Sequence, residues 1–227
     1  MFDREGFADF LVDNGVVGFF EKPVTLKSGR QSNWYVNWRT ISNDVFMLDR
    51  LSDYLLSFAS EKGLSPDAFY GVPEGATKLG ILSTFKWAKA QEGFKPGSHR
   101  LPMGRGKQKE HGAPQDRFFV GEPRGRIVVV EDVTTTGGSL VAALGQLSQI
   151  EVKVLAAVGL TNRMERRDDG KSVEDAVAEM GVPYYALSDA TEFLPRAFRA
   201  FNPGDGIARA IEEEFDRYGV KPLKLKA

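Results

Sequence analysis

Residues 126–132, Arg-Ile-Val-Val-Val-Glu-Asp, constrain the fold more than any other part of this 227-residue chain. Four β-branched side chains in a row leave no polar alternate for a wet side. The run therefore reads as a strand buried on both faces, the habit of a parallel sheet with helices above and below. Shorter apolar runs at 67–72, 152–160 and 183–187 read as further strands. In 45–62, Leu48, Leu51, Leu55 and Phe58 recur at helical spacing before Gly63, and helices are also expected over 2–14, 77–91, 138–149, 172–180, 188–199 and 205–218. Strands alternating with helices place the chain in the α/β class, a parallel β-sheet flanked by helices. Aromatic and β-branched residues in 16–40, broken by Lys27-Ser28-Gly29-Arg30, suggest short strands around a turn. The terminal stretch 221–226 reads as a solvated tail.

Composition excludes several functions. Lysine and arginine number 30 against 31 acids, a net charge of -1 that argues against a protein devoted to duplex DNA. With no cysteine, disulfides, thiolate metal sites and cysteine nucleophiles are excluded, which is compatible with a cytoplasmic location. The start, Met1-Phe2-Asp3-Arg4-Glu5, lacks the apolar run of a signal peptide, and no apolar stretch is long enough to span a membrane. The length suits one domain over 1–227. Glycine, at 24 residues, is in excess and clusters in loops. Residues 97–125 hold Pro102, Gly104, Gly106, Gly112, Pro114, Gly121 and Pro123 with little periodicity. They read as a lid over about 102–122, or as a loop whose ends are strands.

The segment after the central run carries the chemistry. Glu131 and Asp132 end the strand, and Thr134-Thr135-Thr136-Gly137-Gly138-Ser139 opens a helix. Hydroxyls and unhindered N–H groups at a helix N-terminus suit a phosphate, and ligands of open parallel sheets lie beyond the strands' carboxyl ends. The acids would repel that phosphate; vicinal ribose hydroxyls, which donate to carboxylates, suit them. The loop thus asks for a ribose phosphate. Neither a Walker loop nor a dinucleotide turn is present. The alternative is a capped helix beside acids on a solvated edge.

Residues 128–139 resemble the signature by which type I phosphoribosyltransferases bind 5-phosphoribosyl 1-diphosphate (PRPP). The resemblance implies that family's fold, with a small N-terminal hood over about 1–40. It also implies that Glu131 and Asp132 hold the ribose hydroxyls, with Asp132 part of the catalytic set. Thr134, Thr135, Thr136, Gly137, Gly138 and Ser139 would cradle the 5-phosphate. Residues 25–37, Thr-Leu-Lys-Ser-Gly-Arg-Gln-Ser-Asn-Trp-Tyr-Val-Asn, are similar to the N-terminal signature of orotate phosphoribosyltransferases. On that match Lys27 reaches PRPP or the base, and Tyr35 and Val36 line one face of the pyrimidine. Asn33 stands where proline is common and Val36 where a second aromatic is. Residues 105–112 resemble the mobile catalytic loop, which assigns roles to Arg105, Lys109 and His111. Gly106 falls where the loop's first lysine would be, with Lys107 one position on. Residues 160–165 resemble the segment whose arginine binds the orotate carboxylate, here Arg163, with Asn162 in place of aspartate. In 71–80, Lys78 matches the lysine of the diphosphate-binding turn.

The resemblance spans 25–165. It implies the reaction of orotate with PRPP to give orotidine 5-monophosphate and pyrophosphate, in pyrimidine nucleotide synthesis. Mg²⁺ is expected mainly through PRPP oxygens, without direct protein ligands. A homodimer whose lid acts in trans is implied as well, with no nucleic-acid or membrane partner. Two alternatives stay open: an enzyme for another base, and a PRPP-binding transcription regulator on the same fold.

Overall fold

The computed structural model describes residues 1–111 and 117–225. Gly112 and Pro114 of the lid lie outside the described residues, as does Lys226. The chain opens with α1 (Arg4–Asp13), the hairpin strands β1 (Val17–Thr25) and β2 (Gln31–Val36), and α2 (Val45–Glu61). β3 (Ala68–Gly71) and α3 (Thr77–Lys89) follow, then the short strands β4 (Met103–Gly104) and β5 (Phe119–Gly121). β6 (Gly125–Thr134), α4 (Gly138–Leu147), β7 (Val152–Asn162), α5 (Val173–Ala178) and β8 (Tyr184–Asp189) alternate thereafter. Two helices, α6 (Ala190–Phe201) and α7 (Asp205–Tyr218), finish the series.

β3, β6, β7 and β8 form a four-stranded sheet in the order β3-β6-β7-β8, every pair parallel. Ile127, Val128, Val129 and Val130 of β6 are each 0% exposed. Val128 and Val130 join the apolar cluster that includes Phe7, Leu55, Phe58, Phe193 and Ile211. Ile127 and Val129 join the one that includes Leu140, Leu144, Val173 and Val177. Successive side chains thus enter opposite helical layers, as the unbroken apolar run requires. Each such burial is worth ~1.5–3 kcal/mol, which is why this ribbon takes a central position.

β1 and β2 pair antiparallel, with a break in register between Phe19 and Val24. The Asn33 side-chain amide donates to the carbonyls of Phe20 and Glu21 within that break, at 2.9 and 3.2 Å. Asn33 thus ties the two strands together where the ladder is interrupted. Trp34 of β2 packs against Phe193 and Phe215, fastening the hairpin to α6 and α7.

Two expectations change. Residues 221–225 are not a solvated tail: Leu223 and Leu225 are each 4% exposed, and the Leu225 N–H donates to Glu212 at 2.9 Å. Alternating leucines turn inward here. Second, the helix expected from 188 begins at Ala190, because β8 runs on to Asp189, whose carboxylate caps α6 by accepting from the N–H groups of Thr191 and Glu192. Of the two readings of 102–122, the structure matches the loop whose ends are strands: β4 and β5 pair antiparallel across it.

Candidate active site

Beyond the carboxyl ends of β3 and β6 lie two adjoining cavities of about 180 and 390 Å³. They share Lys27, Glu131, Val133, Thr135 and Ser139, so one ligand can span both. This is where an open parallel sheet binds its ligands. A wider groove of about 720 Å³ lies between residues 122–126 and 150–153, at the amino ends of β6 and β7, away from the acid pair.

The second cavity presents hydroxyls and backbone N–H groups of the kind an anion takes. It is lined by Thr135, Thr136, Gly137, Gly138 and Ser139, with Lys27 and Ser28 opposite. Gly137 opens α4 in the left-handed region, φ 68°, and no side chain caps the helix. The backbone N–H groups and the positive end of the helix dipole thus face the cavity. The Lys27 ammonium donates to Ser139 Oγ at 2.9 Å, bringing a formal charge to the same spot. The Arg167 guanidinium holds the Thr136 carbonyl and braces the loop from behind. Thr134 is the exception. Its hydroxyl is 2.6 Å from the Tyr184 hydroxyl, its side chain is buried, and it lines neither cavity. A β-strand alternates its side chains, and Thr134 is the last β6 residue turned inward.

Both cavities are lined by Glu131, the first also by Asp132. Glu131 is 5% exposed, and burial, then the neighbouring Asp132 charge, holds its carboxyl well above the usual carboxylate range. Asp132 Oδ1 accepts from the Val133 N–H at 3.0 Å. The turn Pro73-Glu74-Gly75, with a cis bond between Pro73 and Glu74, closes against it. A Cβ at Gly75 would collide with the Asp132 carboxylate, so only glycine lets the turn come this near. Ligand hydroxyls or a cation would relieve the repulsion between the acids.

The first cavity meets the hood. Tyr35 and Val36 line it, Tyr35 at 44% exposure and Val36 at 3%. Arg163 lines it too, with its guanidinium 3.6 Å from the centre of the Trp34 indole ring. Its Nε donates to Glu165 at 2.6 Å, and its Nη2 donates to Ser32 and Glu214 at 3.0 and 2.9 Å. Nη1 makes only a 3.4 Å contact to the Trp34 carbonyl. Of the five guanidinium hydrogens, one on Nη1 remains for a ligand.

Lys78 is not brought to the cavities. Its ammonium donates to the Ser42 carbonyl and Asn43 Oδ1 at 3.1 and 2.8 Å, linking α3 to the turn before α2. Arg105, Lys109 and His111 line neither cavity. Backbone bonds from Arg105 N–H to the Phe118 carbonyl and from Lys109 N–H to the Arg117 carbonyl, 2.8 and 2.9 Å, hold the base of the lid. A Cβ on Gly106 would lie 2.5 Å from Glu74 Oε1, the movable end of a glutamate, so nothing in the structure explains glycine in place of lysine here. Motif reading overlooked Asn37, Arg39, Glu74 and Gly75, all lining the first cavity. The glycine flanked by Glu74 and Ala76 was a usable signal; Arg39 gave none.

No protein-family model matches the chain. It is 32% identical over 180 residues to the orotate phosphoribosyltransferase of Bradyrhizobium diazoefficiens, covering 75% of this chain and 87% of that relative. The chain belongs to the orotate phosphoribosyltransferase family. The namesake from Methanopyrus kandleri is 33% identical over 183 residues, covering 79% and 86%. Among solved structures, Francisella tularensis orotate phosphoribosyltransferase shares the fold at TM-score 0.68 and 20% identity, covering 94% and 99%. That of Aeropyrum pernix matches at TM-score 0.64 and 25% identity, covering 88% and 99%. Membership in this family sets aside both the enzyme for another base and the transcription regulator. No helix among the described residues is long and apolar enough to cross a membrane.

Proposed function

We infer that the chain transfers the 5-phosphoribosyl group of PRPP to orotate, giving orotidine 5-monophosphate and pyrophosphate, as one phosphoribosyltransferase domain acting in the cytoplasm. One observation carries this reading beyond family membership. Glu131 lines both the Thr135–Ser139 cavity and the first cavity, where Asp132 and the stacked Arg163 also lie. The 5-phosphate sits at Thr135–Ser139 with Lys27 beside it. Glu131 and Asp132 accept hydrogen bonds from the ribose hydroxyls. Orotate lies against Tyr35 and Val36 with its carboxylate toward Arg163. This arrangement fixes the ribose through its hydroxyls and phosphate, so the anomeric carbon can develop oxocarbenium character facing the base nitrogen. The N1–H bond of orotate breaks as the new bond to the anomeric carbon forms, and the departing diphosphate, itself a base, takes that proton.

The departing diphosphate is the harder half. Lys109, with Arg105 and His111, closes over it from the lid, and we place that lid in the active site of a second copy. The exposed apolar side chains Val45 and Phe46 on α2 and Phe85 on α3 support such a homodimer. The donor set fits Mg²⁺. Glu131, Asp132 and Glu74 are hard oxygen ligands, but no group of three metal-binding side chains forms among the described residues, so substrate oxygens would supply most of the shell. When bound, the ion offsets charge on the diphosphate.

The test is direct. Incubation with PRPP, Mg²⁺ and orotate should deplete the orotate absorbance, whereas uracil and adenine should leave no product. Turnover of either control without turnover of orotate overturns the reading.

A further inference from the structure

The Arg163 guanidinium is shared. Glu165 and Glu214 both bind it, and the second oxygen of Glu165 accepts from Arg30 at 3.0 Å. The side chains of Arg163, Glu165 and Glu214 are 2%, 1% and 6% exposed. Glu165 follows Arg163 closely in sequence and has a cation of its own in Arg30. Glu214 arrives from α7 with Arg163 as its ion-pair partner. Its other oxygen lies 2.9 Å from Ser32 Oγ, which is also 2.8 Å from the Trp34 carbonyl. A hydroxyl has one proton and cannot donate to both. Ser32 Oγ also accepts from Arg163 Nη2 and from the Trp34 N–H, at 3.0 and 3.3 Å, so its one proton, divided between the Trp34 carbonyl and Glu214, is all it offers that carboxylate.

We propose that Glu214 is a positioning residue for the base: it holds the Arg163 fork in place and, by keeping or losing its proton, sets how strongly that fork attracts the pyrimidine carboxylate. The proposal rests on the reading that Arg163 takes the orotate carboxylate. With Glu214 ionised, two buried carboxylates already lie on the guanidinium, and a third, from orotate, meets repulsion. With Glu214 protonated, its Oε1 still accepts from Arg163 while the competing charge is gone.

Burial pushes the Glu214 carboxyl up to about 7, against the opposing pull of Arg163; Glu165 raises it further and the Ser32 hydroxyl lowers it. These are the charged and hydrogen-bonding groups acting on Glu214, from the end of β7 and from β2; Arg30 acts one step removed, through Glu165. An orotate anion arriving beside them raises the proton affinity of Glu214 again, so base binding takes up a proton near neutral pH. By linkage, the affinity for orotate falls as pH rises through about 7.

The measurements are steady-state kinetics from pH 6 to 8 and calorimetric titration of orotate in buffers of different ionisation heat. In the wild-type protein, KM for orotate should rise several-fold over that range, with proton uptake on binding, while KM for PRPP is flat across it. Glu214→Gln keeps the shape and hydrogen bonds without the charge. It should lower KM for orotate about threefold at pH 8, flatten the profile, abolish the uptake and leave kcat within about twofold. A residue that merely stabilises the fold would move none of these selectively. If Arg163→Ala leaves KM for orotate unchanged, the underlying reading of Arg163 fails. If it raises KM while Glu214→Gln matches the wild type in profile and uptake, only the proposal for Glu214 fails. Should Glu214→Gln not fold, absence of proton uptake by the wild-type protein overturns the proposal on its own.

Discussion

Thr134 lies in the ligand motif and serves the core. Its hydroxyl is 2.6 Å from the buried Tyr184 hydroxyl, whereas the next hydroxyl, Thr135, lines both cavities. Removing a partner from a buried polar group costs about 1–3 kcal/mol, because the remaining group has given up water. Thr134→Val should therefore lower stability by about that amount in urea unfolding, with KM for PRPP near the wild-type value. A large rise in that KM at unchanged stability would place Thr134 in the cradle after all. Lys78 makes the related point: it stands in the expected turn, yet its ammonium is spent on Ser42 and Asn43. Motif position names the residue type; it does not say which way the side chain points.

The C-terminal segment after α7 is where pattern and structure diverge at the scale of elements. Lys221-Pro222-Leu223-Lys224-Leu225 looks basic and unstructured, yet its leucines close the cluster containing Ile211 and Phe215. Only two apolar residues alternate there, too short a run to register as an element. Leu223→Ala and Leu225→Ala should each destabilise by about 2 kcal/mol, the lower end for buried leucines, and equilibrium unfolding reads this directly. Midpoints unchanged by both would return the segment to solvent. The rest of the elements were legible. The β6 run needs apolar neighbours on both sides, and α2 shows its face in Leu51, Leu55 and Phe58, each at most 1% exposed. The boundaries at Ala190 and Val173 slipped by one or two residues, since caps at Asp189 and Ser172 decide them locally.

At the scale of the whole molecule, Arg105, Lys109 and His111 line neither cavity, so the role proposed for them requires either closure within one chain or delivery from another. Lys109→Ala alone should cut turnover by about 100- to 1,000-fold, the usual cost of losing a donor to developing charge. Mixed with Asp132→Asn chains, it should recover roughly a quarter of wild-type activity if the lid works in trans, because half the dimers then carry one intact site. No recovery in demonstrated heterodimers would favour closure in cis. The sequence by itself determined the sheet, the hydroxyl-glycine loop opening α4 and the acid pair at the end of β6, because each is written in contiguous residues whose local physics allows few arrangements. Only the tertiary structure decided the company Arg163 keeps, with Ser32, Trp34 and Glu214 drawn from 131, 129 and 51 residues away. No local pattern encodes a contact across such distances; the packing of the hairpin and α7 onto the sheet creates it.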